Sequence, residues 1–546
     1  MTRLRPPETL VVARDDLVAA VAAQLERGLR LALVAAHEDA GGADSGTNPP
    51  GAPDDLSRDS RELEPRGDTE PGAVFRVVHV FLGPGGQRVE LTVAVPCDDA
   101  WLPTLAGLSY PAGRFEREVR DLYGIVPVDH PQPYRLVRHA HWPTGYHPML
   151  RGADPRPNFS GHAGFPFVEV SGKGVYEIPV GPVHAGLIEP GHFRFSVVGE
   201  TIVSMYQRLY FVHRGVEKLF EGRPADAGVA LAERISGDTA VGHSLAHLLA
   251  VEDALGIEVP LRARLVRALL LECERLYNHA NDLGAIVNDV GFGIVNQHAG
   301  RLREQLLRHN ARLTGHRLLR GGLRLGGADL LALPDLDLVA SVAEGVAELA
   351  AIATGHSLVA NRLDTTAVLP QEQAARLGVL GYVARASGIG IDARVDQPFV
   401  DLGDGFRVIT ATAGDVRARF DVRVGEVAVS AALVADLTRR IAELPADEAG
   451  RPLSALTAPA SPTRDSGAGP ASATPSAAGV GVVEAWRGTL VHRVELDDTG
   501  RLTRVKVVDP SFCTWPGLPV ALADTIVPDF PLANKSFNMS YAGNDL

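Results

Sequence analysis

Two stretches far apart in the chain constrain its fold more than anything else in it. The first, Glu233–Gly256 (ERISGDTAVGHSLAHLLAVEDALG), sets Arg234, Ser236, Gly237, Thr239 and His243 in the order R-x-S-G-x-T-x-x-x-H, ahead of an amphipathic run that continues from Ser244. That pattern is a loop feeding a helix N-terminus. The second, Asp509–Thr514 (DPSFCT), repeats the spacing of the Ser236–Thr239 pair with Ser511 and Thr514, directly after Asp-Pro. The two pairs read as the corners of one site, so the fold has to bring the end of the chain back to its middle.

At 546 residues the chain is expected to hold two or more domains, each large enough to bury its own core. Hydrophobic residues at 45% against charged ones at 22% are the balance of an ordinary globular protein. A formal net charge of -13 argues against nucleic acid or an anionic lipid surface as the main partner, while docking to a basic partner stays open. The cysteines, Cys97, Cys273 and Cys513, have no paired spacing, which gives no disulfide framework and fits a reducing cytoplasm. The first residues, MTRLRPPETL, show no apolar core of signal-peptide length and no twin-arginine pair, so no export is expected, and the apolar window Leu338–Ala360 is interrupted by Glu344, Glu348, Gly355 and His356. No stretch reaches the roughly 20 apolar residues of a membrane span, so membrane contact is expected only through other subunits. The Gly-rich GIGID at Gly388 lacks the strand and helix context of a dinucleotide site.

In chain order, residues 1–147 read as a small α+β domain. Residues 9–36 suggest a helix followed by a strand at Leu31–Ala35; a hairpin joins Phe75–Leu82 to Val89–Val95 across a Gly-Pro-Gly-Gly turn; Trp101–Tyr110 is helix or irregular cover. Residues 39–72, almost free of apolar side chains, are expected to be a disordered insert, and 148–173 a Pro/Gly-rich linker. Residues 174–546 read as a mainly helical domain with short sheets at its ends. It opens with two strands around a loop that presents His184, Glu189 and His192, and continues with a helix over Ser204–Gly222, where Tyr206, Leu209, Tyr210, His213 and Val216 recur at three and four. Helices follow at Arg262–Gly284, with Cys273 as a buried small apolar residue, at His298–Arg317 and at Val339–Leu358. Mixed helix and strand, including FRVITA and ARFDVRV, lead to a second flexible insert at 454–481.

The motifs resemble a known family. R-x-C-G-x-C-x-x-x-H near the start and D-P-C-x-x-C near the end mark the large subunit of nickel-iron hydrogenases, and this chain resembles it with every thiolate replaced: Ser236, Thr239, Ser511 and Thr514 stand at the four cysteine positions. Hydroxyls are neither soft nor readily deprotonated, so no nickel-iron centre is expected on this chain. The large subunit of respiratory complex I, NADH:quinone oxidoreductase, shares that fold and has likewise lost its cysteines. The stretch from Phe115 (FEREVRDLYGIVPVDHPQPYRLVR) resembles the smaller complex I subunit beside it, through Glu116, Arg117, Glu118, Asp121, Gly124, Ile125, His130, Pro131 and Arg135. A salt-bridge and capping network at a subunit junction is the favoured reading of those charges. The two parts fused in one chain resemble the energy-converting hydrogenase group to which formate hydrogenlyase belongs.

The resemblance implies roles at several positions. Glu189 of E-P-G-H matches a glutamate that exchanges protons with the metal site in the hydrogenases, although a turn-capping role with locally bonded His184 and His192 is an equal reading. Arg214 and Glu217 of HRGVEK match a segment that shapes the site; they also stand one helix turn apart, as an ordinary pair would. Glu274–His279 (E-R-x-x-N-H) matches both relatives. Arg487 of EAWRG is retained where Trp486 replaces a proline, and His243 completes the set that is expected to line the vacated site. The implied function is that of a peripheral-arm subunit of a membrane-associated, complex I-like oxidoreductase, passing electrons from an iron-sulphur cluster on a partner small subunit toward a quinone or another acceptor. Membrane antiporter-like subunits are the further partners implied, and the cytoplasmic face of the cell membrane the location. A catalytically silent hydrogenase-like scaffold is the alternative, and a genuine hydrogenase the remote one.

Overall fold

The computed structural model describes residues 6–39, 73–159, 165, 167–183, 188–444 and 476–546. The chain opens with a sheet of β1 (Glu8–Val12), β2 (Arg30–Asp39), β3 (Val74–Gly83) and β4 (Gln87–Pro96) in the order β1-β4-β3-β2. β-Branched runs such as Val77, Val78 and Val80 bury their side chains here, and the β3–β4 hairpin pairs Phe75 with Val95 and Gly83 with Gln87, as expected. The helix assigned from residue 9 begins instead at Leu17, because Glu8–Val12 pairs in parallel with β4. Trp101–Pro103 is a short strand against Val126–Val128, followed by irregular chain up to Tyr110. The FEREVRD stretch lies on the helix Tyr110–Tyr123, which ends at a left-handed Gly124, φ 73°.

A second antiparallel sheet comprises Val175–Val180, His192–Val198 and Thr201–Arg208. It corrects the helix expected over Ser204–Gly222. The three-and-four spacing there spans a strand paired with Phe193–Val198, a left-handed Tyr210 (φ 67°) and a separate short helix, Val216–Phe220, that starts after a left-handed Gly215. Ladder pairing prevails over the side-chain period. The helical body is built from Ala240–Leu255, Leu261–Asn288, Gly293–Thr314, Leu336–Gly355 and Val416–Glu443. ARFDVRV belongs to the last of these, capped by Asp415, whose carboxylate accepts from Ala418 N at 2.7 Å; FRVITA forms neither helix nor strand.

A third sheet, Ala477–Ala485, Gly488–Leu496 and Leu502–Val508, packs its first strand on the helix Ala240–Leu255. The flexible insert expected at 454–481 is therefore corrected at its end, since 477–481 are strand; its remainder up to 475, and all but Asp39 of the 39–72 insert, lie outside the described residues. The buried apolar core is continuous from the first sheet to the last helices rather than divided between two halves. Buried ion pairs cross the junction: Arg76 on β3 holds Glu495 at 2.6 Å, and Lys506 holds Glu118 at 2.7 Å.

Candidate functional site: an ion pair at the loop–helix junction

The loop before the helix Ala240–Leu255 is organised by Asp238. Its backbone carbonyl accepts from Asn278 Nδ2 at 2.8 Å, Trp486 Nε1 at 3.0 Å and Tyr277 Oη at 3.3 Å, and its carboxylate accepts from Ser236 Oγ at 2.9 Å and Thr239 Oγ1 at 3.0 Å. Arg487, at the turn between two strands of the third sheet, donates to both carboxylate oxygens at 2.8 and 2.7 Å and to Asn538 O at 2.6 Å. Its guanidinium lies 4.0 Å from the centre of the Trp486 ring. Burial alone would raise the Asp238 carboxyl, but Arg487 and the two hydroxyls outweigh it and hold the pKa at about 2. The helix N-terminus beyond is capped by Glu274 of the E-R-x-x-N-H segment, which accepts from Val241 N at 2.7 Å and Gly242 N at 3.0 Å. Burial pushes this carboxyl up to about 8 against those two bonds.

The C-terminal tail closes the site. Ser236 Oγ meets Ser540 Oγ at 2.9 Å, and Ser540 Oγ also caps the final helix by accepting from Gly543 N. Ser511 stands one step behind, its Oγ accepting from Ser540 N at 2.9 Å, and Thr514 Oγ1 accepts from Leu380 N at 3.2 Å. Ser540 thus stands between the two pairs, with its Oγ on Ser236 Oγ and its N–H on Ser511 Oγ, so the tail adds a hydroxyl to the site expected of Ser236, Thr239, Ser511 and Thr514. Asp238, which carries the arrangement, stands between the two hydroxyl positions in the sequence.

The other candidates scatter around this centre. His243 packs against Asp509 Oδ2 at 3.2 Å and His492 Nε2 at 3.2 Å, and Asp509 caps Ser511 N at 2.8 Å. Glu189 is exposed and accepts from Ala542 N at 2.9 Å, so it docks the tail. His192 Nδ1 lies 3.2 Å from Gly181 O, away from the ion pair, and His184 lies outside the described residues. Glu217 is buried in a different cluster, with Lys506 Nζ at 3.0 Å and Arg504 at 2.9 Å. Arg214 donates to Ile235 O at 2.6 Å and makes no pair with Glu217, which corrects the helix-surface reading.

The donors present do not fit a nickel-iron centre. The hydroxyls of Ser236, Thr239 and Ser540 are held in hydrogen bonds to Asp238, Arg487 and one another, and a guanidinium occupies their midst. The thiols are free and buried, Cys513 among them although it lies within the second motif; burial pushes Cys513 up to about 11 and Cys273 up to about 12, so both stay protonated. Among the described residues no group of three or more His, Cys, Asp or Glu is arranged to hold a metal ion, and no helix is long and apolar enough to cross a membrane.

Comparison with known proteins agrees with the motifs. The family model described as respiratory-chain NADH dehydrogenase, 49 Kd subunit, matches residues 289–545; that for the 30 Kd subunit matches 55–157; that for nickel-dependent hydrogenase matches 214–281. Hydrogenase-4 component G of Escherichia coli (strain K12) is 34% identical, over 79% of this chain and 73% of the relative. Formate hydrogenlyase subunit 5 of the same organism is 32% identical over 86% of this chain and 82% of the relative. Among solved structures, that of the membrane-bound sulfane sulfur reductase, an archaeal respiratory membrane complex, contains a chain that superposes with a TM-score of 0.60 at 23% identity, covering 68% of this chain and 99% of that one, which shows the shared fold.

Proposed function

The chain belongs to the family of hydrogenase-4 component G and formate hydrogenlyase subunit 5, and from that premise we propose that it is a peripheral-arm subunit of a membrane-associated, complex I-like oxidoreductase that works without nickel. Electrons reach it from an iron-sulphur cluster on a partner small subunit and leave toward a quinone or another acceptor, and antiporter-like subunits tie the assembly to the membrane. The observation that carries the reading is the Arg487–Asp238 pair at the loop where thiolates would hold a metal. A guanidinium is always charged, and held in a buried, preorganised place it stabilises negative charge that develops on a neighbouring acceptor without reorganising. Exposure of Glu189, bound to the tail through Ala542 N, supports a part for it in exchanging protons with solvent.

One observation favours the silent scaffold as a second reading: Arg487, Ser236 and Thr239 are all satisfied internally, and Ser540 closes the loop. Electron transfer from the assembled complex to a quinone analogue separates the two. Loss of a donor aimed at a developing anion typically slows turnover by about a hundredfold, and this is the expected result for Arg487→Met at matched assembly, with a smaller loss for Glu189→Gln. Rates within about twofold of wild type for both variants, well under 1 kcal/mol, establish the scaffold instead. Elemental analysis tests the metal: no stoichiometric nickel is expected, and one nickel per chain after removal of affinity-tag metal overturns the reading.

A further inference from the structure

Trp486 takes the place of a proline in the motif that its strand resembles, and its side chain meets both halves of the Arg487–Asp238 pair. The strands Ala477–Ala485 and Gly488–Leu496 pair Ala485 with Gly488, so Trp486 and Arg487 are the two residues of the hairpin turn between them. A left-handed Gly381 (φ 67°) abuts this turn so closely that a methyl on it would overlap the Arg487 carbonyl, which fixes the turn's backbone without help from the indole. The Trp486 side chain is engaged elsewhere. Its ring centre lies 4.0 Å from the guanidinium carbon of Arg487, and its Nε1–H donates to Asp238 O at 3.0 Å and to Thr239 Oγ1 at 3.1 Å. One side chain thus touches the cation through its π face and the loop that bears the anion through its edge.

The indole is itself held firmly. It is 1% exposed, stacked on Tyr382 with ring centres 6.3 Å apart and planes at 26°, and met edge-on by His279 at 6.0 Å. Tyr382 is pinned in turn, its hydroxyl donating to Phe537 O at 2.7 Å and the Arg423 guanidinium lying 3.7 Å from its ring centre. Arg423 is anchored by Asp282 at 3.2 Å and by Ser536 O at 2.7 Å. The ring under Arg487 therefore rests on a buried column that reaches the long helix Val416–Glu443. The other contacts of Arg487 run through its N–H groups: Asp238 accepts from both Nη atoms and Asn538 O from Nε. Such bonds set the guanidinium within its own plane, whereas a ring against its face resists tilting out of that plane, and the attraction between cation and ring strengthens where water is excluded.

We propose that Trp486 is the positioning residue of the ion pair, holding Arg487 and the Asp238 loop in register so that the guanidinium keeps one orientation while the charge on a neighbouring acceptor changes. The positioning rests on the contacts alone; its use in turnover rests on the proposed electron-transfer role. A donor that reorganises less stabilises a developing anion more. Loss of the ring therefore lowers kcat and leaves KM in place, since KM reports binding that ground and transition states share. Because Trp486 acts through Arg487, its effect is expected to vanish where Arg487 is already absent.

Fluorine NMR of the purified full chain labelled with 5-fluorotryptophan reads the contact without turnover. Trp101, Trp142, Trp486 and Trp515 each give a signal, and the one missing from Trp486→Phe is assigned to Trp486. That signal is expected to move in Arg487→Met and in Asp238→Asn while those of Trp101 and Trp142 stay; a Trp486 signal that neither variant moves overturns the proposal. In the assembled complex, kcat with a quinone analogue is expected to fall about tenfold in Trp486→Leu and about threefold in Trp486→Phe, which keeps a ring beside the guanidinium, at unchanged KM. In the Arg487→Met background the same substitutions are expected to change kcat less than about twofold. Losses of equal size in both backgrounds mean that Trp486 serves packing alone, and overturn the proposal; so does a Trp486→Phe complex as slow as Trp486→Leu. Should Trp486→Leu fail to assemble, Trp486→Phe in the two backgrounds decides. A wild-type complex that passes no electrons defeats the proposed function and leaves the fluorine spectra to decide the role of Trp486.

Discussion

Asp238 and Arg487 show how unequal the two halves of one ion pair are. The Arg487 side chain is 5% exposed, whereas the Asp238 side chain keeps 38% of its surface. Asp238→Asn leaves a buried guanidinium facing a neutral amide and is expected to cost about 3 kcal/mol. Arg487→Met leaves a carboxylate that can turn to water, and the expected loss is roughly 1–2 kcal/mol. Urea midpoints of the two variants check the order, and equal losses contradict it. Acid should expose the pair as well. The carboxyl is depressed from an ordinary 3.8 to about 2, so its stabilisation is complete above about pH 4 and is lost as pH falls through about 2.

At the scale of elements, the contact between the helix Ala240–Leu255 and the strand Ala477–Ala485 decides how close the third sheet comes to the site. A methyl on Gly481 would overlap the Ala246 carbonyl, and one on Gly479 the Ala250 carbonyl, so these glycines let backbone meet backbone. This is why a Gly/Ala-rich run that reads as linker is structured from Ala477 onward. Gly481→Ala is expected to destabilise by about 3 kcal/mol, the upper range for overpacking, because the neighbour is a helix backbone that cannot rotate aside. A chemical-denaturation midpoint within about 0.5 kcal/mol of wild type would show that the strand slides to make room.

For the whole molecule, pH stability reports on carboxyls that folding keeps protonated. Glu274, pushed up to about 8 by burial, is protonated in the fold and ionised in the unfolded chain above its ordinary 4.5. A raised carboxyl contributes stability that is complete below the unfolded pKa and lost as pH rises through the folded one. Glu116, pushed up to about 7 by burial, acts in the same sense. Between about pH 4.5 and 6.5 the buried His79 and His247, both lowered to about 4 by burial, oppose this, because the unfolded chain takes up protons that the fold refuses. The expected profile therefore declines from about pH 6.5 to 8, by about 1.4 kcal/mol per unit for each carboxyl still protonated. Glu274→Gln should flatten it, and an unchanged slope in that variant assigns the decline elsewhere.

The sequence by itself determined what is local: the β3–β4 hairpin from its alternation and turn, the helices near 262–284, 298–317 and 339–358 from their period though not the one at Val416–Glu443, the loop that feeds the helix at Ala240, and the loss of thiolates at Ser236 and Thr239. These follow from residues within a few positions of one another. What only the tertiary structure decided were choices between distant partners. Ser540 rather than Ser511 meets Ser236, Asp238 rather than its flanking hydroxyls carries Arg487, Thr201–Arg208 is strand because Phe193–Val198 lies beside it, and Glu118 shares its lysine with Glu217 from another part of the chain. Each such choice compares the desolvation of a buried group with the partner that can repay it. That partner lies up to several hundred residues away, where no pattern of spacing can point to it.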